Sequence, residues 1–288
     1  MKRTTVADIV AKPEKLTMLT AYDYWTSQLL DKAGTDVILV GDSLGMVIQG
    51  EDNTLGVTVD DMVYHCKAVA RGRERALIVG DMPYMSYHVN QEETVRNAGR
   101  IVREGKADGV KLEGGRKRIP MIQAILDAEI PVMGHLGLTP QSVNALGGFK
   151  VQAKDLKARQ QLKDDALALQ EVGVFALVLE CIPYDFAQEL TDLLNIPTFG
   201  IGAGPYCDGQ VLVTHDLLGM GFGHQPKFVR QFVNLGETGL DAVRNFCTAV
   251  QQGTFPTLKE AYRATNQATP LSLYQGQVKP MPGIAQSN

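Results

Sequence analysis

Short apolar runs recur along the chain, separated by longer stretches in which apolar residues return every three or four positions. The runs are KLTMLTAYD (15–23), DVILVGDS (36–43), ALIVGDMP (76–83), GVKLEGG (109–115), IPVMGHLG (130–137), VFALVLECIP (174–183), IPTFGIGAG (196–204) and, more weakly, GQVLVTHD (209–216). Their length and aliphatic content predict eight strands. The spacers TVDDMVYHCKAVARGR (58–73), NQEETVRNAGRIVREGK (90–106), KRIPMIQAILDAEI (117–130) and LKARQQLKDDALALQEVG (156–173) carry their apolar residues at helical spacing. Asn90, ahead of Gln91, Glu92 and Glu93, is an N-cap signal, and Gly173 is a C-terminal stop.

Strands alternating with helices in this number predict an α/β fold closed into a (β/α)8 TIM barrel, preceded by a short N-terminal helix and followed by C-terminal additions. An open doubly wound sheet in two domains is the alternative, but no linker rich in Pro, Gly or Ser divides the chain, so residues 1–288 read as one domain. The stretch TPQSVNALGGFKVQAK (139–154) is too long for an ordinary connection and is expected to be a functional loop. From about 270 to 288 periodicity disappears, and an arm or tail is expected.

Composition narrows the function classes. The chain is 44% hydrophobic and 21% charged over 288 residues, as in a globular protein with a large core. Its net charge of -4, with Lys and Arg scattered rather than clustered, carries no footprint for nucleic acid or a membrane surface. Cys66, Cys181, Cys207 and Cys247 are too dispersed for a zinc knot or a disulfide framework. With no apolar run of membrane-spanning length, a cytoplasmic location is expected.

In GVKLEGG, strand alternation sends Val110 and Leu112 to one face, and Lys111 and Glu113 to the other. A strand covered on both faces does not hold charge cheaply, so a polar site is expected there. Polar residues also end the other runs: Asp23, Asp42 and Ser43, Asp81, His135, Glu180, and His215 with Asp216. In a barrel these ends converge on one mouth. Asp42 or Asp81 taken singly is equally well explained as a helix N-cap.

Asp42, Asp81 and Glu113 together offer an oxygen-only ligand set, which suits Mg²⁺ better than zinc. Lys111 is either an ion-pair partner for Glu113 or a cation that grips an anionic substrate. Glu180 closes the most hydrophobic run, so its carboxyl is expected to be partly withdrawn from water, as suits a general base. His135 is a candidate ligand or hydrogen-bond donor in the same mouth. GIGAG (200–204) lacks the G-x-G-x-x-G pattern and argues against dinucleotide binding.

With those residues in view, the chain resembles the ketopantoate hydroxymethyltransferase family. The resemblance runs in order through LTAYD (19–23), LVGDSLGMVIQG (39–50), VGDMPYMSY (79–87), VKLEGG (110–115), VMGHLGLTPQS (132–142), LVLECIP (177–183) and GIGAGPYCDGQVLVTHDLLG (200–219). It implies a barrel of the phosphoenolpyruvate/pyruvate superfamily type and one bound Mg²⁺ per subunit. It also implies transfer of a one-carbon unit from 5,10-methylenetetrahydrofolate to 3-methyl-2-oxobutanoate, giving 2-dehydropantoate for pantothenate and coenzyme A biosynthesis. By the same resemblance Asp42, Asp81 and Glu113 serve the metal; Ser43 and Lys111 contact the keto acid together with Asp42 and Asp81; and Glu180 is the proton acceptor. The assembly implied is a homodecamer of two pentameric rings. One departure is Ala153, where a loop glycine is expected. Isocitrate-lyase-like relatives would carry a catalytic cysteine in a KKCGH-type loop, which this chain lacks.

Overall fold

The computed structural model of the chain describes residues 2–223 and 225–263. The eight expected strands form: β1 Leu16–Thr20, β2 Val37–Val40, β3 Leu77–Asp81, β4 Gly109–Glu113, β5 Val132–Gly137, β6 Ala176–Glu180, β7 Thr198–Ile201 and β8 Gly209–Leu212. Each lies parallel to the next, and β8 pairs with β1, so the sheet closes into a barrel. Closure leaves no free edge, which disposes of the open-sheet alternative.

Two interleaved sets of side chains explain why the strands read as continuous apolar runs. Leu16, Met18, Val37, Leu39, Leu77, Val79, Met133, Ala176, Val178, Phe199 and Val211 fill the barrel, joined by Ile9 of the N-terminal helix Val6–Ala11. The alternate residues, among them Ile38, Ile78, Val110, Leu112, Val132, Leu177 and Leu179, pack in a second cluster with the surrounding helices. Both faces of β2 to β7 are thus covered, as parallel sheets require, whereas Thr17 on β1 and Gln210 on β8 are exposed.

Local signals end the helices where the sequence places them. The Asn90 side chain accepts the Glu93 N–H and opens helix Gln91–Arg103. Gly173, at φ 103°, takes the left-handed conformation that closes helix Leu156–Val172. The long connection after β5 has structure of its own: a 3₁₀ turn at Pro140–Ser142, one helical turn at Val143–Leu146, and an extended return to Asp155. Ala153 sits there at φ 52°, buried, in the conformation that favours the expected glycine. A Cβ in that region costs on the order of 1 kcal/mol, so the departure is real at the level of the backbone.

Two compact units are distinguished, one up to Glu237 and one from Thr238, and the single domain expected over 1–288 runs across both. In its described part the second unit holds most of helix Leu235–Gln251 and a turn that sets the rings of Phe246 and Phe255 5.5 Å apart. The tail expected at about 270–288 lies outside the described residues. Among the described residues no helix is long and apolar enough to cross a membrane.

Candidate active site

The inward set that is apolar through the body of the barrel turns polar at the C-terminal strand ends. Asp81 closes β3, Lys111 and Glu113 alternate with outward residues on β4, His135 lies on β5 and Glu180 closes β6. Register brings them together, since Asp81 stands opposite Lys111 and Glu113 opposite His135. Asp42 arrives from the turn after β2. All but Glu180 are buried, whereas the Glu180 side chain keeps 15% of its surface exposed at the mouth.

Lys111 Nζ lies 2.7 Å from Asp81 Oδ1. Of the two readings of Lys111, an ion pair with Glu113 or a cation for an anionic substrate, the first is replaced by this pair with Asp81. Neighbours two apart on a strand point the same way but stand nearly 7 Å apart along it, while the β3 partner is directly opposite. His135 fills the gap: its Nδ1 is 3.3 Å from Lys111 Nζ and 3.4 Å from Glu113 Oε1, and its Nε2 is 3.1 Å from Glu180 Oε2. Burial and Lys111 oppose a charge on His135, but the carboxylates of Glu113 and Glu180 outweigh them and push its pKa up to about 9. Each ring nitrogen thus faces one carboxylate, Nδ1 that of Glu113 and Nε2 that of Glu180.

The capping account of the aspartates fails. Asp81 Oδ2 accepts the backbone N–H of Asp42 at 3.0 Å, and Asp42 Oδ2 accepts from Gln141 Nε2 at 2.8 Å. Ser43 occupies the N-cap of Leu44–Val47 without a side-chain cap bond, its Oγ being 2.7 Å from the hydroxyl of buried Tyr22. Asp23, by contrast, is a cap, accepting the Thr26 N–H at 2.8 Å. His215 and Asp216 lie in the one-turn helix Thr214–Leu217, and the His215 ring tilts against Tyr22 at 5.6 Å.

Electrostatics supply a test of whether a cation fits. Four acids, Asp42, Asp81, Glu113 and Glu180, crowd around one lysine and one histidine, so acidic groups outnumber basic ones in a buried site. Burial, then Asp81, then Glu113 drive the Asp42 carboxyl well above its ordinary range. Burial also raises Asp81, against the pull of Lys111. Burial opposes the Lys111 ammonium, yet Asp81, Glu113 and Asp42 raise its pKa. A divalent cation would offset that excess, and oxygen donors suit Mg²⁺. Among the described residues no three His, Cys, Asp or Glu side chains converge into a closed metal cage. The expected shell of Asp42, Asp81 and Glu113 does not stand as a ready-made three-ligand site among them.

Two contributors were missed in the sequence. Gln141 donates its backbone N–H to Glu113 Oε2 at 3.0 Å, and Tyr87 donates its hydroxyl to Gln141 Oε1 at 2.6 Å. Both lie inside the matched blocks LTPQS and MPYMSY, and a Gln beside a turn in the long loop was the available signal.

Glu180 is set from behind by Gly137. Gly137 has φ 94°, and a Cβ there would run into the Glu180 carbonyl oxygen, which accepts the Leu138 N–H at 2.8 Å. Gly137→Ala is expected to lower stability by about 1–3 kcal/mol, as strained backbone does. It should also lower kcat by on the order of 100-fold, the cost of a catalytic group displaced by about 1 Å. Thermal melts and steady-state kinetics check both; unchanged kcat would reject the claim that this contact sets Glu180.

A closed parallel barrel with acids, a lysine and a histidine gathered at its strand ends has the layout of an enzyme of the (β/α)8 class. Solved structures share the fold. Phosphoenolpyruvate phosphomutase from Streptomyces platensis matches with a TM-score of 0.59 at 15% identity, covering 86% of this chain and 88% of that one. Phosphonopyruvate hydrolase with oxalate and Mg²⁺ matches at 0.60 and 12%, covering 90% and 93%.

Sequence relationship is more specific. The profile of ketopantoate hydroxymethyltransferase matches residues 2–258. The 3-methyl-2-oxobutanoate hydroxymethyltransferase of Syntrophomonas wolfei is 54% identical over 265 residues, 91% of this chain and 96% of that protein. The enzyme of the same name from Acetivibrio thermocellus is 53% identical over 264 residues, 91% and 93%. The chain belongs to the ketopantoate hydroxymethyltransferase family, a family of transferases.

Proposed function

We propose that the chain transfers a hydroxymethyl group from 5,10-methylenetetrahydrofolate to C3 of 3-methyl-2-oxobutanoate, giving 2-dehydropantoate for pantothenate and coenzyme A biosynthesis. The supporting observation is the buried group of Lys111, His135, Asp42, Asp81 and Glu113, with the half-buried Glu180 at its open side. Asp42 and Asp81 would hold a Mg²⁺ ion, with Glu113 beside them. Bound there, the ion supplies Lewis-acid polarisation of the substrate's 2-oxo group.

The chain's own residues do the rest. Lys111, with a charge made permanent by its acidic neighbours, and Ser43 grip the anionic keto acid. Glu180 removes the C3 proton, and His135, within 3.1 Å of it, holds its carboxyl in place. Water adds to the methylene carbon of the folate and both its C–N bonds break, the two nitrogens taking the protons of the water, which leaves tetrahydrofolate and a one-carbon aldehyde. The electron pair freed at C3 then bonds to that carbon, and its carbonyl oxygen takes the proton held by Glu180 to become the hydroxymethyl group. A cytoplasmic location and assembly as a homodecamer complete the proposal; the mass in solution tests the assembly.

Exchange of the C3 proton isolates the first chemical step. In D₂O with 3-methyl-2-oxobutanoate and Mg²⁺, the protein is expected to replace the C3 proton with deuterium without any folate, and a chelator should stop it. Exchange that continues at the same rate after chelation would reject the metal assignment.

A further inference from the structure

Every polar group of the Gln141 side chain is used, and its orientation is forced. The Tyr87 hydroxyl accepts the Glu113 backbone N–H at 3.2 Å, so its own proton is free to go to Gln141 Oε1 at 2.6 Å. An oxygen that receives this proton fixes which end of the amide is which. The two Nε2 protons then go to Asp42 Oδ2 at 2.8 Å and to the Met82 carbonyl at 3.0 Å. The backbone N–H of the same residue reaches Glu113 Oε2 at 3.0 Å. One buried residue from the loop after β5 thereby ties down the ends of β2, β3 and β4.

The consequence concerns two carboxylates. Gln141 occupies one oxygen of Asp42 and one of Glu113, setting which oxygen of each is turned elsewhere and how far apart the two groups stand. Among the described residues no other donates a hydrogen bond to both. A hydrophobic residue of the same length would fill the space but leave the Asp42 carboxylate free to rotate, and without the Tyr87 and Met82 bonds the backbone N–H that meets Glu113 would lose its side-chain anchor. Tyr87 is held independently: its ring is 4.2 Å from that of His88, and the Arg118 guanidinium lies 5.6 Å from its centre.

We propose that Gln141 is a positioning residue: held in one orientation by Tyr87, it fixes Asp42 and Glu113 in the arrangement that accepts a divalent cation. The inference rests on the Mg²⁺ reading above, and goes beyond it in assigning the device that prepares the site before the ion arrives. Outer partners of metal ligands typically change metal affinity by about 10–100-fold when removed.

The test measures Mg²⁺ binding to the full-length protein by calorimetry, without substrates. Gln141→Met and Tyr87→Phe are each expected to weaken binding by about 10–100-fold relative to wild type. Because Tyr87 acts through Gln141, the double variant should bind no more weakly than Gln141→Met alone. With Mg²⁺ raised to saturation, kcat of Tyr87→Phe should return to near the wild-type value, a rescue that general damage to the fold would not give. Circular dichroism confirms that each variant is folded; Tyr87→Phe, which loses a single oxygen, serves if Gln141→Met does not fold. Wild-type affinity in a folded variant, or strictly additive losses, would overturn the positioning role while leaving the metal reading intact. Failure of the wild-type protein to bind Mg²⁺ would instead overturn that reading, and this inference with it.

Discussion

Glu180→Gln should leave a folded protein that still binds the keto acid but no longer exchanges its C3 proton. The substitution keeps the shape and an oxygen for the contact with His135 Nε2, now 3.1 Å from the carboxylate. What it removes is the basic carboxylate at the end of β6, the acid of the site with access to the mouth. Positioned general bases contribute about 10²–10⁴-fold, and turnover is expected to fall by that factor. Proton exchange followed by NMR separates this from a binding defect: exchange retained at the wild-type rate would remove Glu180 from the role.

Lys111→Met should have the largest effect on the fold itself. Lys111 is 2.7 Å from Asp81 within a buried site where acidic groups already outnumber basic ones. Removing the partner from a buried pair costs about 3–5 kcal/mol, because the remaining charge is stranded. Part of that loss should be recovered by Mg²⁺ or by low pH. The sign follows from Asp81 and Asp42, whose carboxyls are raised in the folded protein: protonation relieves them, so the variant's deficit should shrink as pH falls into their range. Denaturant unfolding across pH, with and without Mg²⁺, checks this. A deficit under 1 kcal/mol, or one that grows on acidification, would contradict the account of the site as an acid-rich cluster held by one lysine.

Much of this was legible in the chain, for reasons that can be stated residue by residue. Apolar runs of four to six residues between helical stretches define the strands because both faces of a parallel barrel are buried. Lys111 and Glu113 betray the site because charge on an inward face needs partners. Partners were harder to read. Lys111 pairs with Asp81 rather than Glu113 because register, set by strands 30 positions apart, decides what stands opposite. Gln141 and Tyr87 carry no charge and have no periodic signature, so nothing short of the folded loop shows that they meet. Ala153 illustrates the reverse: the expected glycine is absent, yet the backbone adopts the glycine-like φ of 52°.

The transfer itself is most directly tested with 5,10-methylenetetrahydrofolate labelled with ¹³C at the methylene carbon, mixed with 3-methyl-2-oxobutanoate, Mg²⁺ and the protein. The account predicts that the label moves to the hydroxymethyl carbon of 2-dehydropantoate, with the wild-type protein and not with Glu180→Gln. Label that stays on the folate with the wild-type protein, or that moves equally well with the variant, would contradict it.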